Sequence, residues 1–443
     1  MLRIYSAPTF KAEKQYTLSV LLDELLGVPF TLEFKAGQEH FRFDLPNGSH
    51  VVVEDHFFNK HLENNYLNTA NIPKNATTLP HPFEPGAPIT GLYGNPHFEQ
   101  SDRAIRCGID LVAGAFFMLS RWEEYAHSGR DQFGRFPAKY SLAHRTGFLD
   151  RPIVNEYAGF IWEILLRLGW QQPRRVHTYR MHLSHDVDHP RLWWSPVQRM
   201  RTLAGSLARH GGARAAAWWL RNQIFAANDP YDVFDTLMDI AEKNSRIAHF
   251  NFLGARPKTA DSFYSLDHAF IRNLLQKIAD RGHVIGFHPS REAHADAAKF
   301  ASELESLRRI APQEITSGRQ HFLCFSAPET WRRWAKAGMH WDSTLGYPEA
   351  AGFRCGICTA FPVFDFLDRK VLPLREKPLI AMDVTLAQYL KLTPQQAFEL
   401  LSRLNNQVKK HRGEFVLLWH NSSWNTYFWS PWQAVYRDFI AQS

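Results

Sequence analysis

From residue 176 to the C-terminal end, short apolar segments alternate with longer segments of helical periodicity, and this alternation restricts the fold more than any other feature. The candidate strands are Arg180–Val187, Ile247–Leu253, His283–His288, Gln320–Ser326, Trp341–Leu345, Phe361–Phe364, Leu379–Asp383 and Phe415–His420. The candidate helices are Tyr231–Lys243, Leu266–Asp280, His294–Arg309, Thr330–Gly338 and Pro394–His411. Such alternation is typical of βα units around a parallel sheet. We therefore predict an α/β fold whose C-terminal part is a distorted (β/α) barrel of seven or eight strands.

Residues 1–175 lack this regular alternation and are predicted to form a smaller α/β domain of their own. Its candidate elements are the helices Tyr16–Leu26, Asp110–Tyr125 and Pro152–Leu168 and the strands Phe30–Phe34, Phe41–Leu45 and Val51–Val53. Pro46-Asn-Gly48 is typical of a hairpin turn, and the residues from Ile72 to Gly94 are predicted to form a long loop. No catalytic spacing occurs in this half, so we expect a packing or recognition role for domain 1–175, followed by domain 176–443.

Composition narrows the class of protein. A hydrophobic content of 45% and a charged content of 21% indicate a soluble globular chain of 443 residues. The net charge of +7 is modest for this length, which argues against nucleic acid as a partner. The 14 tryptophans favour a carbohydrate partner, because exposed aromatic rings stack on sugars.

The sequence shows no signal peptide, no apolar run long enough to span a membrane and only four cysteines, so we expect a cytoplasmic location. Cys355 and Cys358 have the spacing of a metal-binding pair. Because no second pair accompanies them, we interpret them as structural.

Residues 189–228 interrupt the alternation and contain six arginines, four tryptophans and no acidic residue. We expect a helical insertion close to the site described next. It could be a helical hairpin with a solvated basic face, or it could contact anionic substrates or lipid headgroups as a peripheral membrane surface.

Polar residues with complementary chemistry lie near the predicted strands of the C-terminal half. Asp186 and Asp188 are separated by one residue at the end of the strand Arg180–Val187, so they share a face. Further candidates near strand ends are His288, Arg319, His321, Asp342 and His420. Arg319, His321 and Asp342 are exceptions, because they fall near the starts of the strands drawn above. The two acids alone could also be surface-turn and capping residues.

The chemistry that these residue types support is metal-assisted hydrolysis. A carboxylate and two neutral imidazoles bind Zn²⁺ and leave a coordination position for water. A second carboxylate can act as general base, an imidazolium can protonate a departing amine, and an arginine can hold the base ionised.

The motifs resemble those of a known superfamily. His185-Asp-Val-Asp188, Gly286-Phe-His-Pro-Ser290, Arg319-Gln-His321, Asp342-Ser-Thr344 and Leu417-Leu-Trp-His420 are similar, in this order, to the motifs of polysaccharide deacetylases (NodB homology domain). The resemblance covers roughly residues 178–425. Ser120-Arg-Trp-Glu-Glu124 and Phe148-Leu-Asp-Arg-Pro152 extend it to related bacterial proteins that carry an uncharacterised N-terminal domain.

The resemblance implies a role for each motif residue. By position, Asp186 corresponds to the base, Arg319 to its supporting arginine, His420 to the general acid, and Asp188 and His288 to metal ligands. The superfamily usually has a second ligand histidine four residues after the first, but this chain has Glu292 there. The third ligand is then His294 or His321. We prefer His321, because His294 is expected to start a helix. Glu292 could itself bind a metal or lie at a solvated helix N-terminus.

The function implied is that of a metal-dependent hydrolase, with Zn²⁺ as the expected cofactor, that removes an N-acetyl or similar acyl group from a sugar or glycan precursor. Two alternatives stay open. One is a non-catalytic glycan-binding or scaffold protein on the same barrel, and the other is hydrolysis of a different C–N amide bond.

Overall fold

Two β-sheets with flanking helices organise the chain in a computed structural model, which describes residues 1–209, 212–221, 229–254 and 264–443. The strands of the first half are β1 Leu2–Ser6, β2 Phe30–Phe34, β3 His40–Asp44, β4 His50–Glu54, β5 Thr77–Leu79, β6 Ile89–Gly91, β7 Gly94–Gln100 and β8 Ala104–Ile109. Its helices are α1 Lys11–Leu18, which continues as a π-helical segment Ser19–Glu24, then α2 Leu111–Ser120, α3 Trp122–Ala126, α4 Leu142–Arg145 and α5 Ile153–Arg167.

The first sheet has six strands in the order β2-β1-β3-β4-β8-β7, and β5 and β6 form a separate pair. Residues 72–94 are therefore not the single long loop predicted from their composition. The hairpin between β3 and β4 is as predicted. The predicted helix Asp110–Tyr125 is instead two helices, because Arg121 adopts the left-handed region (φ 56°) and ends α2.

The second half contains the larger sheet. Its strands are β9 Arg180–Val187, β10 Ala248–Leu253, β11 Val284–His288, β12 Ser317–Gly318, β13 Trp341–Asp342, β14 Phe361–Asp365, β15 Lys370–Glu376, β16 Ala381–Met382 and β17 Glu414–Leu418. Its helices are α6 Pro196–Arg209, α7 Gly212–Trp219, α8 Phe234–Lys243, α9 Ala269–Asp280, α10 Arg291–Ala295, α11 Ala297–Arg308, α12 Glu329–Lys336, α13 Pro394–Lys410 and α14 Gln433–Ala441.

The nine strands pair in the order β14-β15-β13-β12-β11-β10-β9-β17-β16, and all neighbours are parallel except β14 and β15. The predicted α/β fold with a parallel sheet is confirmed. One strand prediction is wrong: Gln320–Ser326 is not a strand. The strand ends at Gly318, and His321–Leu323 form a 3-10 turn.

This sheet is strongly rolled. Lys377, directly after β15, places Nζ 3.8 Å from Oε2 of Glu414 on β17. The two strands lie six positions apart in the sheet order, which in a flat sheet would separate them by about 29 Å. No pairing among the described strands joins β14 to β16, so the closed barrel stays a prediction.

The two halves share one apolar core and a buried ion-pair network. Arg354 donates from Nη2 to Glu124 at 2.6 Å, and Arg121 donates from Nε to the same carboxylate at 2.9 Å. All three side chains are almost fully buried. Although burial raises the pKa of Glu124, the two guanidinium groups hold it below its ordinary value. The ionised Glu124 side chain therefore links the two halves through its ion pair with Arg354.

The insertion 189–228 is helical where the structure describes it, in α6 and α7. Residues 210–211 and 222–228 of this predicted segment lie outside the described residues. Asp229 accepts hydrogen bonds from the backbone N–H groups of Leu192 and Trp193, and thereby holds the start of the insertion against its end.

The four cysteines all lie in the described part of the chain, are buried and form no disulfide bond there. Cys355 and Cys358 lie in the apolar core. None of the helices formed by the described residues is both long and apolar enough to cross a membrane.

Candidate metal centre and active site

Asp186 lies near the end of β9 with its side chain buried. Its Oδ1 atom accepts hydrogen bonds from Nη1 of Arg319 at 3.0 Å and from Nδ2 of Asn251 at 2.7 Å. Burial raises the pKa of Asp186, but the interactions with Arg319, His288 and His420 together outweigh burial and hold the pKa below the ordinary value. Asp186 is therefore a carboxylate at neutral pH. Arg319 is itself fixed, because it also donates to the carbonyl and hydroxyl oxygens of Ser343.

Asp188, one residue after β9, faces two imidazoles. Its Oδ1 atom lies 3.2 Å from Nε2 of His288 and 3.5 Å from Nε2 of His321. One ligand atom from each of these three residues lies within 4.8 Å of the others. Tetrahedral zinc ligands with bonds of about 2.0 Å are about 3.3 Å apart, so these distances suit a divalent cation.

The hydrogen bonds of His288 fix which ring nitrogen faces Asp188. Its Nδ1 atom lies 2.6 Å from the carbonyl oxygen of Arg319, which can only accept, so Nδ1 carries the proton. In the neutral imidazole, Nε2 then presents a lone pair to the Asp188 carboxylate. Among the described residues neither Nε2 of His288 nor Oδ1 of Asp188 makes a well-formed hydrogen bond, although both atoms are buried. A cation between them would satisfy both atoms, so the residues fit a metal.

The turn that carries His321 has an unfavourable backbone. Phe322 and Leu323 have φ values of 59° and 54°, a region that costs about 1–2 kcal/mol for each non-glycine residue. Buried hydrogen bonds hold the turn: Nε2 of Gln320 donates to the carbonyls of Pro289 and Ser290, and the His321 N–H also donates to Pro289. The His321 imidazole thereby reaches Asp188 from a segment that is not a strand.

His420, two residues after β17, lies on the other side of Asp188, with Nε2 3.8 Å from Oδ2 of Asp188. Its Nδ1 atom donates to Asp383 at 2.8 Å, and the same carboxylate accepts the His420 N–H. Burial alone would lower the pKa of His420, but the charges of Asp383, Asp188 and Asp186 raise it to about 10. His420 is therefore an imidazolium at neutral pH.

The structure brings six predicted residues together: Asp186, Asp188, His288, Arg319, His321 and His420. It does not bring His294 to them, because Nε2 of His294 lies 3.2 Å from the Ser326 hydroxyl. Glu292 is exposed and forms an ion pair with Lys299. Asp342 is buried beside the site but bonds Thr344, and burial raises its pKa to about 7.

Three contributors were missed by sequence reasoning. Asp383 was available as a signal, because it ends a predicted strand just as Asp186 does. Asn251 lies inside β10, and Arg135 lies in a loop of the first half; no motif marks either residue.

Five of the six residues, all except Arg319, line a cavity of about 160 Å³, whose wall also includes aromatic and apolar side chains. Phe322 and Tyr389 line this cavity and keep 37% and 44% of their surface exposed. Their ring faces provide a surface on which a sugar could stack.

A second group of potential ligands, His81, Glu84 and Glu163, does not offer the same chemistry. Nδ1 of His81 accepts the backbone N–H groups of Phe83 and Glu84, so Nε2 must carry the proton. That nitrogen faces Glu163 at 3.8 Å as a donor and has no lone pair for a metal.

Comparisons with known proteins give limited matches. Residues 2–169 match the model of a family of unknown function, DUF7033. No curated protein matches. A structure titled "putative polysaccharide deacetylase" from Mycobacterium smegmatis is similar at 19% identity, with a TM-score of 0.39, over 62% of this chain and 86% of that one.

A "putative polysaccharide deacetylase involved in O-antigen biosynthesis" from Bordetella bronchiseptica is similar at 15% identity, with a TM-score of 0.30, over 55% of this chain and 72% of that one. Similarity at this level carries no argument about function. The function is therefore inferred from the geometry of the site.

Proposed function

We propose that the protein is a metal-dependent hydrolase that removes an N-acetyl or similar acyl group from a sugar or glycan precursor. The observation that carries this proposal is the convergence of Asp188, His288 and His321 within 4.8 Å. With the proton on Nδ1, Nε2 of His288 faces the buried Oδ1 atom of Asp188 at 3.2 Å. A divalent cation between these two atoms would satisfy both.

In this proposal Asp188, His288 and His321 hold a divalent cation, with Zn²⁺ preferred for two imidazoles and a carboxylate. When bound, the cation supplies Lewis-acid polarisation of the amide carbonyl and eases deprotonation of water. Asp186 accepts a proton from the attacking water. Arg319 and Asn251 bind the Oδ1 atom of Asp186 and orient the carboxylate, so that it is ionised and positioned before reaction.

His420 is the proposed general acid. Its proton on Nδ1 is held by Asp383, and its protonated Nε2 points to the Asp188 side of the cavity, where the leaving amine would lie. Asp186 and His420 line one cavity and carry opposite charges. They can therefore accept one proton and donate another in the same turnover.

Carbohydrate is the proposed substrate class because the partly exposed aromatic side chains of Phe322 and Tyr389 line the cavity, and sugars stack on aromatic rings. A cytoplasmic location, and hence a glycan precursor as the substrate, belongs to the same proposal. Peripheral membrane contact through the insertion is also part of this proposal. On the arginine-rich helix α6, Val197 and Met200 are 59% and 60% exposed and could contact a membrane surface.

The test is metal content together with acetate release. Purified protein should hold about one divalent ion, and His288→Ala should remove it. Asp186→Asn should keep the metal and lose activity, whereas Asp188→Asn should lose both. His321→Ala should lose metal and His294→Ala should retain it. Wild-type protein without metal after Zn²⁺ or Co²⁺ loading would refute the proposal. Sugar binding without metal would favour the non-catalytic alternative.

A further inference from the structure

Arg135 connects the first half of the chain to the candidate site. It lies in the loop between α3 and α4, within the region that matches a family of unknown function. The side chain is 6% exposed and lines the same cavity as Asp186 and Asp188. A buried arginine that reaches this cavity from the other half of the molecule calls for a role.

The loop around Arg135, residues 131–135, is built to hold the guanidinium in place. Oδ2 of Asp131 accepts from Nε of Arg135 at 2.7 Å, while Oδ1 accepts the backbone N–H groups of Phe133 and Arg135. The guanidinium also lies 4.8 Å from the centre of the Phe133 ring. The position of Arg135 is therefore fixed before any ligand binds.

This loop grips the turn that carries His321. Nη1 of Arg135 donates to the carbonyl oxygen of Phe322 at 2.9 Å. The Phe133 and Phe322 rings lie 5.1 Å apart, and the Cys324 thiol contacts the Phe133 carbonyl oxygen. Three contacts thus join the loop to residues 322–324.

The backbone of residues 322–324 needs contacts from outside the turn to keep its conformation. Phe322 and Leu323 both have positive φ, a conformation that side chains with a Cβ atom disfavour. Without a partner for the Phe322 carbonyl, the turn can relax toward ordinary backbone angles. Such a change would move the preceding residue, His321, away from Asp188.

We propose that Arg135 is a positioning residue for the metal centre: through the Phe322 carbonyl it keeps the His321 imidazole directed at Asp188 and His288. The N-terminal half is then a working part of the site. This inference rests on the proposed function in one respect, namely that these three residues bind a divalent cation.

The test measures Zn²⁺ and Co²⁺ affinity and the visible spectrum of the Co²⁺-loaded full-length chain. Arg135→Ala should weaken binding about 10–100-fold and change the Co²⁺ spectrum, as expected when a group that orients a ligand is lost. Arg135→Lys, which keeps one donor, should restore part of the affinity. Arg130→Ala is the matched control, because the hydrogen bonds of Arg130 among the described residues go to carbonyl oxygens of its own half, at Glu124, His127 and Gly129. It should leave affinity and spectrum unchanged.

A double-mutant cycle separates positioning from a general structural effect. His321→Ala should keep a weak affinity for Co²⁺ through Asp188 and His288, which is measured by titration at high Co²⁺ concentration. In that background Arg135→Ala should have little further effect on the affinity, because the residue through which it acts is gone. Should Arg135→Ala fail to fold, Asp131→Asn takes its place and should weaken binding in the same direction. Wild-type affinity and spectrum in the Arg135 variants, or additive losses in the cycle, would overturn the inference while leaving the proposed function intact. Absence of metal binding in the wild type would overturn both.

Discussion

Replacement of Asp383 by Asn should lower the pKa of His420 by about three pH units. The carboxylate lies 2.8 Å from Nδ1 of His420, and Asn keeps the shape while removing the charge. For charge centres about 4 Å apart at an effective dielectric constant of 20, the lost attraction is about 4 kcal/mol. At about 1.4 kcal/mol per pH unit this corresponds to a fall from about 10 to about 7.

The direction of the effect on activity follows from the role of His420. A general acid must be protonated, so its contribution is present below its pKa and is lost as pH rises through it. In Asp383→Asn the alkaline decline of kcat/KM should therefore begin at lower pH than in the wild type. Since Asp383 does not belong to the proposed metal ligands, metal content should be unchanged.

The direct assay is an NMR titration of metal-free protein with ¹³C-labelled histidine, with the His420 signal assigned by its absence in His420→Gln. Glu414→Gln is the control, because Glu414 is the hydrogen-bond partner of a different histidine, His182. Its removal should leave the His420 pKa in place. A change of less than one pH unit in Asp383→Asn would refute the electrostatic reasoning.

Three further predictions concern stability and substrate binding. Arg354→Ala should lower the free energy of unfolding by about 3–5 kcal/mol in urea titrations, because it leaves Glu124 buried with one guanidinium fewer. Gly318→Ala should lower the free energy of unfolding by about 3 kcal/mol in the same assay, because its Cβ atom would lie 1.9 Å from a backbone carbonyl oxygen of β11. Gly159→Ala is the control and should leave the free energy of unfolding unchanged or higher, because open space surrounds that position. Tyr389→Ala should raise the Kd for N-acetylated oligosaccharides about fivefold by loss of stacking, with metal content unchanged. An unaltered Kd would show that the Tyr389 ring does not contact the substrate.

The strands Arg180–Val187 and Ser317–Gly318 illustrate where strand prediction succeeded and where it failed. The strand Arg180–Val187 was predicted with its exact bounds, because eight residues of alternating and apolar character leave little ambiguity. The strand at Ser317–Gly318 has only two residues and no apolar side chain, so the prediction moved to the apolar segment after it. That error made Arg319 and His321 appear to lie at the wrong end of a strand. In the structure Arg319 directly follows β12, on the same edge of the sheet as Asp186.

The site was predictable only as far as it depends on strand ends. Asp186, His288 and His420 follow or close predicted strands, so parallel topology alone brings them to one edge. Arg135 reaches the site through long-range packing between the halves, and Asn251 through the inward face of β10. Sequence periodicity contains no information about which distant loop packs on which turn. The pairing of His420 with Asp383 likewise depends on β16 and β17 being neighbours.

The buried ion pairs among Arg121, Glu124 and Arg354 restrict how the two halves of this chain can be recombined with other proteins. A gene fragment that encodes either half alone would expose the shared apolar core and separate Arg354 from Glu124. A fragment that joins either half to a foreign neighbour would bury one of these charges without its partner, unless that neighbour offered the opposite charge at the same place. The halves are therefore expected to be inherited as a unit, and recombination breakpoints between them should be selected against. A protein engineer who wishes to graft the second half onto another scaffold must transfer α2 and α3 with it.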